Sequence, residues 1–103
     1  MKKIKKQKEI KMKIILGTEY MDNVQGTSTD INIDAKATSD DGQTVILERT
    51  LSYSVNTANE GWRETAVLRL KEQAQEFQTD AQNLVNMMNE IRNISADVAA
   101  DLP

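Results

Sequence analysis

The sequence contains no cysteine and no histidine, and both absences narrow the chemistry open to it. Without cysteine, the chain forms neither a disulfide nor a thiolate metal site, and thiol catalysis is excluded. Without histidine, it has no imidazole to act as a general base, to activate a serine or to bind a metal. The four glycines are isolated, so no glycine-rich phosphate loop is present. We therefore predict a protein that is not an enzyme and needs neither a cofactor nor a metal.

Long apolar runs are also missing from the sequence. No stretch approaches the ~20 apolar residues that cross a membrane. The basic start, residues 1–13, has the charge of a signal-peptide n-region, but no long apolar run follows it. These features predict a cytoplasmic protein without membrane contact. Its 103 residues predict a single domain, of a size that oligomerisation often stabilises.

Charge is distributed unevenly along the chain. Residues 1–13 carry seven lysines and one glutamate, a net charge of +6, whereas residues 14–103 carry six basic and fifteen acidic residues, a net charge of −9. Residues 1–8 are interpreted as a basic N-terminal arm. A solubilising tail is favoured over a binding arm. Nucleic acid is not the expected partner, because no aromatic residue interleaves these lysines.

Alternating apolar and polar residues predict three antiparallel strands between residues 9 and 55. The first covers residues 9–16 and is extendable to Tyr20, and residues 22–29 are expected to form a loop. The second strand follows that loop, and the third covers residues 43–55 after a turn.

The turn between the second and third strands contains Gly42, and its length sets the register. A three-residue loop with Gly42 in the left-handed conformation pairs Ala37 with Val45 and Ala35 with Leu47. This register places every apolar side chain of the hairpin on one face. A two-residue loop would mix the faces, so the three-residue loop is favoured.

A long amphipathic helix is predicted over residues 57–94, followed by a frayed tail at residues 95–103. Thr57 and Glu60 have the spacing of a capping box. A second capping-box pattern at Thr79 offers a break point, but a continuous helix is favoured because the apolar spacing keeps its phase there. The predicted fold class is α+β, a three-stranded antiparallel sheet followed by one long C-terminal helix.

The predicted helix is ~50 Å long, whereas a strand of six or seven residues is only ~20 Å long. The helix would therefore overhang its sheet, and we predict a homo-oligomer that forms through it. Apolar residues at heptad-like spacing supply the predicted subunit interface, which consists of Leu70, Phe77, Leu84, Met88 and Ile91.

Arg49, Trp62 and Arg63 are the candidate ligand-binding residues. Arg49 lies in the apolar row of the third strand, where a charge is costly unless it is paired. A salt bridge to a helix carboxylate such as Glu64 or Glu72 is favoured, and an anionic ligand is the alternative. For Trp62, an anchor that closes the end of the sheet is favoured over a stacking platform.

Asp30, Asn32 and Asp34 share the polar face of the second strand. Their oxygen atoms suit a hard cation, but a good site needs six or more such ligands. A solvated face is therefore the favoured interpretation.

The chain resembles the small accessory proteins that phages of low-GC bacteria encode. The resemblance lies in the lysine- and isoleucine-rich start, the lack of cysteine and histidine, the hairpin and the terminal helix, and it covers the whole chain without a diagnostic motif. It implies an interaction role, either inhibition of a host defence protein or sequestration of an anionic nucleotide signal.

The favoured function is thus a non-enzymatic, homo-oligomeric binding protein with a nucleotide ligand or a protein target. One alternative is a structural protein that acts only through helix-mediated assembly. A second alternative is a nucleic-acid binder that uses the basic arm.

Overall fold

A computed structural model describes residues 9–102 of the chain. Four strands precede one helix, and they are β1 (Met12–Leu16), β2 (Tyr20–Gln25), β3 (Ser28–Ser39), β4 (Val45–Asn56) and α1 (Trp62–Ala100). The predicted α+β class, an antiparallel sheet followed by one long helix, is confirmed. The predicted number of strands is wrong, since there are four rather than three. The predicted arm at residues 1–8 lies outside the described residues.

Strand β3 is the centre of the sheet. Strand β4 pairs with it in antiparallel fashion from Ser28 opposite Asn56 to Thr38 opposite Val45. On the other side, β1 pairs with the second half of β3 and β2 pairs with the first half. The sheet is therefore three strands wide, and β1 and β2 share one edge.

The loop predicted at residues 22–29 is wrong, because β2 and the start of β3 occupy most of it. All six residues of β2 are exposed, so neither of its faces shows the apolar alternation that marks a strand. A bulge between Asp22 and Gln25 also interrupts the period, and Asn23 adopts a positive φ of 52° there.

The predicted hairpin register is wrong by two residues. Ala37 lies opposite Leu47 rather than Val45, and a bulge between Ala37 and Thr38 absorbs an extra residue near the turn. A shift by an even number keeps the same residues on the same face. Ala35, Ala37 and Leu51 accordingly share the core. Gly42 has the predicted left-handed conformation, with a φ of 75°.

Helix α1 runs without a break past Thr79, which confirms the favoured alternative. Its ends differ from the prediction, since it begins at Trp62 rather than residue 57 and reaches Ala100 rather than residue 94. Thr57 is not the cap, because its hydroxyl donates instead to the Thr27 carbonyl at 3.2 Å. Gly61 occupies the cap position with a φ of 76° and no side-chain hydrogen bond.

The core lies between α1 and one face of the sheet, and it is thin. Among the described residues, nine hydrophobic side chains are buried, namely Ala35, Ala37, Leu51, Val55, Ala66, Leu70, Phe77, Ala81 and Val85. Four of these are alanines, and Phe77 is the largest fully buried side chain. Leu70 and Phe77 are 9% and 0% exposed. Their assignment to a subunit interface is therefore corrected, because they pack within their own chain.

Two side-chain amides fasten α1 to opposite edges of the sheet. Gln73 donates to the Ser52 carbonyl of β4 at 2.7 Å and accepts from the Ser52 N–H at 3.0 Å. Asn89 donates to the Ile10 carbonyl, just before β1, at 3.1 Å and accepts from the Ile10 N–H at 2.6 Å. The helix therefore crosses the sheet diagonally, and the two amides lie ~24 Å apart along it.

Beyond Asn89, the helix extends past its own sheet, and the molecule measures 72 × 20 × 16 Å. From Met87 onward, five apolar side chains are each more than half exposed. We call them the projecting stripe, and its members are Met87, Ile91, Ile94, Val98 and Leu102. The spacing of the first four places them on one side of α1, and Leu102 follows just after the end of the helix.

Candidate functional site

Arg49 is bound within its own chain. Its Nη2 atom lies 3.0 Å from Oδ2 of Asp80 on α1, and the guanidinium lies 5.7 Å from the centre of the Phe77 ring. The predicted salt bridge to a helix carboxylate is therefore present, although the partner is neither Glu64 nor Glu72. The side chains of Arg49 and Asp80 are 38% and 43% exposed, so the arginine covers the core with its stem and keeps its charge in water.

Replacing Arg49 with alanine is expected to lower the free energy of unfolding by about 1 kcal/mol. An exposed ion pair contributes roughly 0.2–1 kcal/mol and an exposed cation–π contact roughly 0.5–1 kcal/mol. Asp80→Asn is the matched control, because it removes the ion pair and keeps the ring contact, and it should lose about half as much. Urea denaturation measures both values. Equal losses in the two variants would show that the ring contact contributes nothing.

Trp62 is the first residue of α1 and is half-buried at the end of the sheet. It lines a shallow cleft with Tyr53 and Val55 of β4. This placement suits the favoured interpretation of Trp62 as an anchor. Its neighbour Arg63 is exposed.

One chain does not bring the three predicted ligand-binding residues together. Arg49 contacts Asp80, which follows Trp62 by 18 residues along one helix, a separation of ~27 Å. A site that combines Arg49 with Trp62 and Arg63 therefore needs two subunits. The nucleotide site therefore stays a prediction, and it requires a dimer or a larger oligomer.

Asp34 and Asp30 lie on the sheet face that is turned away from α1. The Asp34 Oδ1 atom accepts hydrogen bonds from the Thr50 hydroxyl at 2.9 Å and from the Tyr20 hydroxyl at 3.1 Å. Partial removal of the Tyr20 hydroxyl from water, followed by its hydrogen bond to Asp34, raises the pKa of Tyr20 above its ordinary value. Within residues 9–102, no group of three or more acidic side chains is placed to hold a metal ion. The carboxylates of this face instead cross-link neighbouring strands.

Asp30 accepts hydrogen bonds from the Asn23 amide at 2.8 Å and from the Ser54 hydroxyl. These donors, Asn23 first, lower the pKa of Asp30 below its ordinary value of 3.8. The carboxylate therefore links β2 to β3 and β3 to β4 in its charged form.

The lowered pKa of Asp30 predicts a loss of stability in acid. A carboxyl group with a lowered folded-state pKa stabilises the fold above its unfolded value and loses that contribution as pH falls through the folded value. We expect the melting temperature to fall more steeply below pH 3.8 in the wild type than in Asp30→Asn. Thermal melts between about pH 5 and pH 2 measure this difference. Parallel curves for the two proteins would contradict it.

The projecting stripe is an apolar surface that α1 leaves uncovered. Of the predicted interface, Ile91 belongs to it with 56% exposure, whereas Leu84 and Met88 are half-buried beside the sheet. Sequence reasoning missed Val98 and Leu102 because it ended the helix at residue 94. It also ended the predicted interface at Ile91, although Ile94 lies within the predicted helix. The signal was present, since the apolar spacing continues to Leu102.

Comparisons with known proteins give no guidance on function. The chain matches no protein-family model, no curated protein and no solved structure. Among the described residues, no helix combines the length and the apolar character needed to cross a membrane. Function must therefore be inferred from the surfaces of the chain itself.

Proposed function

We propose that this chain is a non-enzymatic interaction protein that self-associates through the projecting stripe. The observation that carries the proposal is the projecting stripe itself, four apolar side chains near the C-terminal end of α1 and Leu102 just after it, which are 51–68% exposed. Contiguous apolar surface on one side of a helix is uncommon on monomers and is typical of protein interfaces.

An antiparallel pair of α1 helices accounts for the spacing of the stripe. In a two-fold arrangement, Met87 lies opposite Leu102 of a second copy and Ile91 lies opposite Val98. Ile94 of each copy then lies next to the two-fold axis. The two sheets sit at opposite ends of the pair, so they do not collide.

The expected affinity of this pair is modest. Burying the exposed half of an Ile, Leu, Val or Met side chain contributes about 1 kcal/mol, so the ten side chains of two stripes contribute about 10 kcal/mol. Association costs about 4–15 kcal/mol. A dimer in the micromolar range or weaker follows, and a larger helical assembly would cover more of each stripe.

Light scattering coupled to gel filtration tests the proposal. Over loading concentrations from about 1 to 300 µM, the mass should rise from the 11.6 kDa of one chain towards twice that value or more. A constant monomer mass over the whole range would overturn it.

The assembled protein is proposed to act on a protein target, as its resemblance to phage accessory proteins implies. Residues 14–103 carry a net charge of −9, which favours a basic partner surface. The alternative ligand, an anionic nucleotide held between subunits, is less favoured because it would have to compete with Asp80 for Arg49.

A further inference from the structure

Among the described residues, side-chain amides cover the β4 edge and the β1 edge of the sheet at one position each, and neighbouring outward positions such as Thr50 and Ser54 of β4 lack this cover. Gln73 occupies the outward N–H and C=O of Ser52 on β4, and Asn89 occupies those of Ile10 before β1. The bulge at Asn23 bends the β2 edge. Side-chain cover and bulges are the devices by which proteins block edge-to-edge association.

Within the described residues, the outward backbone groups of three β1 residues, Met12, Ile14 and Leu16, lack such cover, and the first two of these residues lie beside α1. The Lys11 carbonyl accepts from the Asp40 N–H at 3.0 Å and the Gly17 N–H donates to the Asp34 carbonyl at 2.9 Å, so odd-numbered residues of β1 direct their backbone groups towards β3. Even-numbered residues direct theirs outward. Within residues 9–102, no hydrogen bond reaches the outward groups of Met12 and Ile14.

Met12 and Ile14 line a cleft of about 880 Å³ between β1 and α1. Three side-chain amides of the helix line its far wall, those of Gln78, Gln82 and Asn86. Asn89, the next amide along the same wall, closes one end of the cleft by bonding Ile10 as a neighbouring strand would. The cleft thus offers main-chain hydrogen bonds on one side and polar donors and acceptors on the other.

We propose that this cleft docks an extended peptide segment of another protein, which adds to β1 as a further antiparallel strand. Strand addition uses main-chain groups of this kind for affinity and uses alternate side chains for specificity. Lys11 and Lys13 are exposed on the sheet face turned away from α1, so the segment is acidic at the positions beside them. Glu9 and Glu90 also line the cleft, at the end that Asn89 closes, so the segment is not acidic at that end. Its intervening side chains face Met12, Ile14 and the helix amides, and these are apolar or uncharged.

The charge of β1 argues against a second copy of this chain as the occupant. Two-fold pairing of β1 with itself through Met12 and Ile14 places the Lys13 side chains of the two copies next to each other. Like charges directly opposite each other destabilise a strand pair. The proposed occupant is therefore an acidic segment of a different protein. It is a partner distinct from the basic target surface proposed above, and its docking is independent of self-association through the projecting stripe.

The test uses the full chain labelled with ¹⁵N and a capped decapeptide of alternating glutamate and valine. Titration should shift the backbone amides of Met12 and Ile14 and the side-chain amides of Gln78, Gln82 and Asn86. The corresponding lysine–valine peptide is the matched control and should bind at least tenfold more weakly. Absence of shifts at Met12 and Ile14, or equal binding of both peptides, would overturn the proposal.

Two variants sharpen this test. Ile14→Pro removes an outward N–H and leaves the β1–β3 ladder intact, so the glutamate–valine peptide should bind at least tenfold more weakly. Lys13→Glu changes only an exposed side chain and should reverse the preference between the two peptides. Unchanged preference in Lys13→Glu would refute the docking mode even if Ile14→Pro failed to fold. The peptide-binding results for Ile14→Pro and Lys13→Glu do not depend on the mass measured by light scattering, because Lys13 and Ile14 lie outside the projecting stripe.

Discussion

Phe77→Ala is expected to remove most of the stability of the fold. Phe77 is fully buried, and its neighbours in the core include the alanines Ala35, Ala37 and Ala81, which cannot close the gap. Truncating a buried phenylalanine costs about 3–5 kcal/mol. Small domains have a total stability of about 5–15 kcal/mol. The substitution would also remove the aromatic ring that the Arg49 guanidinium contacts.

Thermal unfolding followed by circular dichroism measures this effect. At ~4–8 °C per kcal/mol, the melting temperature should fall by tens of degrees. Phe77→Leu is the control, because it keeps most of the volume and should lose much less than the alanine variant. Protein concentration must be fixed, since self-association adds to apparent stability. A fall of less than about 5 °C in Phe77→Ala would show that the core does not depend on this ring.

The parts of the fold that follow from side-chain periodicity were predictable. Alternation located β1, β3 and β4, and the apolar spacing through Thr79 predicted an unbroken helix. Periodicity works here because each of these elements buries one face and exposes the other. The same reasoning failed at β2, which buries neither face. It also failed at the helix start, where Gly61 rather than Thr57 occupies the cap position.

The hairpin register shows a different limit of sequence reasoning. Matching apolar parity could not distinguish Ala37 opposite Val45 from Ala37 opposite Leu47, because both pairings keep the same faces. The bulge near Thr38 decides between them. The bulge also allows Ile46 and Leu47, adjacent in sequence, to pack against the same core. No alternation pattern predicts two neighbouring residues on one face.

The candidate site residues were predictable by type and less so by partner. Arg49 was recognised as a charge in an apolar row, which requires a counter-charge, and Asp80 supplies it. Its identity depends on the diagonal crossing of α1, which the amides of Gln73 and Asn89 help to fix. Isolated glutamine and asparagine side chains carry no sequence signal for such contacts. The cleft beside β1 was missed for the same reason.

Ile94→Asp is expected to abolish self-association. Ile94 is 55% exposed, and in the proposed antiparallel pair it lies beside the two-fold axis, so one substitution places two carboxylates close together in an apolar seam. Burying an unpaired charge costs several kcal/mol. With about 10 kcal/mol of apolar burial set against a comparable cost of association, that penalty is sufficient to dissociate the pair. The core of the protomer is untouched, because Ile94 is remote from Phe77 along the helix.

Leu68→Asp is the matched control for Ile94→Asp, because Leu68 is 54% exposed on the same helix but lies outside the projecting stripe. Both variants add one negative charge to α1 and remove an exposed aliphatic side chain, so any general effect of charge or helix propensity is shared. Light scattering at about 100 µM should give a monomer for Ile94→Asp and the wild-type mass for Leu68→Asp. Dissociation by both substitutions would place the interface elsewhere on the helix, and dissociation by Leu68→Asp alone would refute the projecting stripe as the contact.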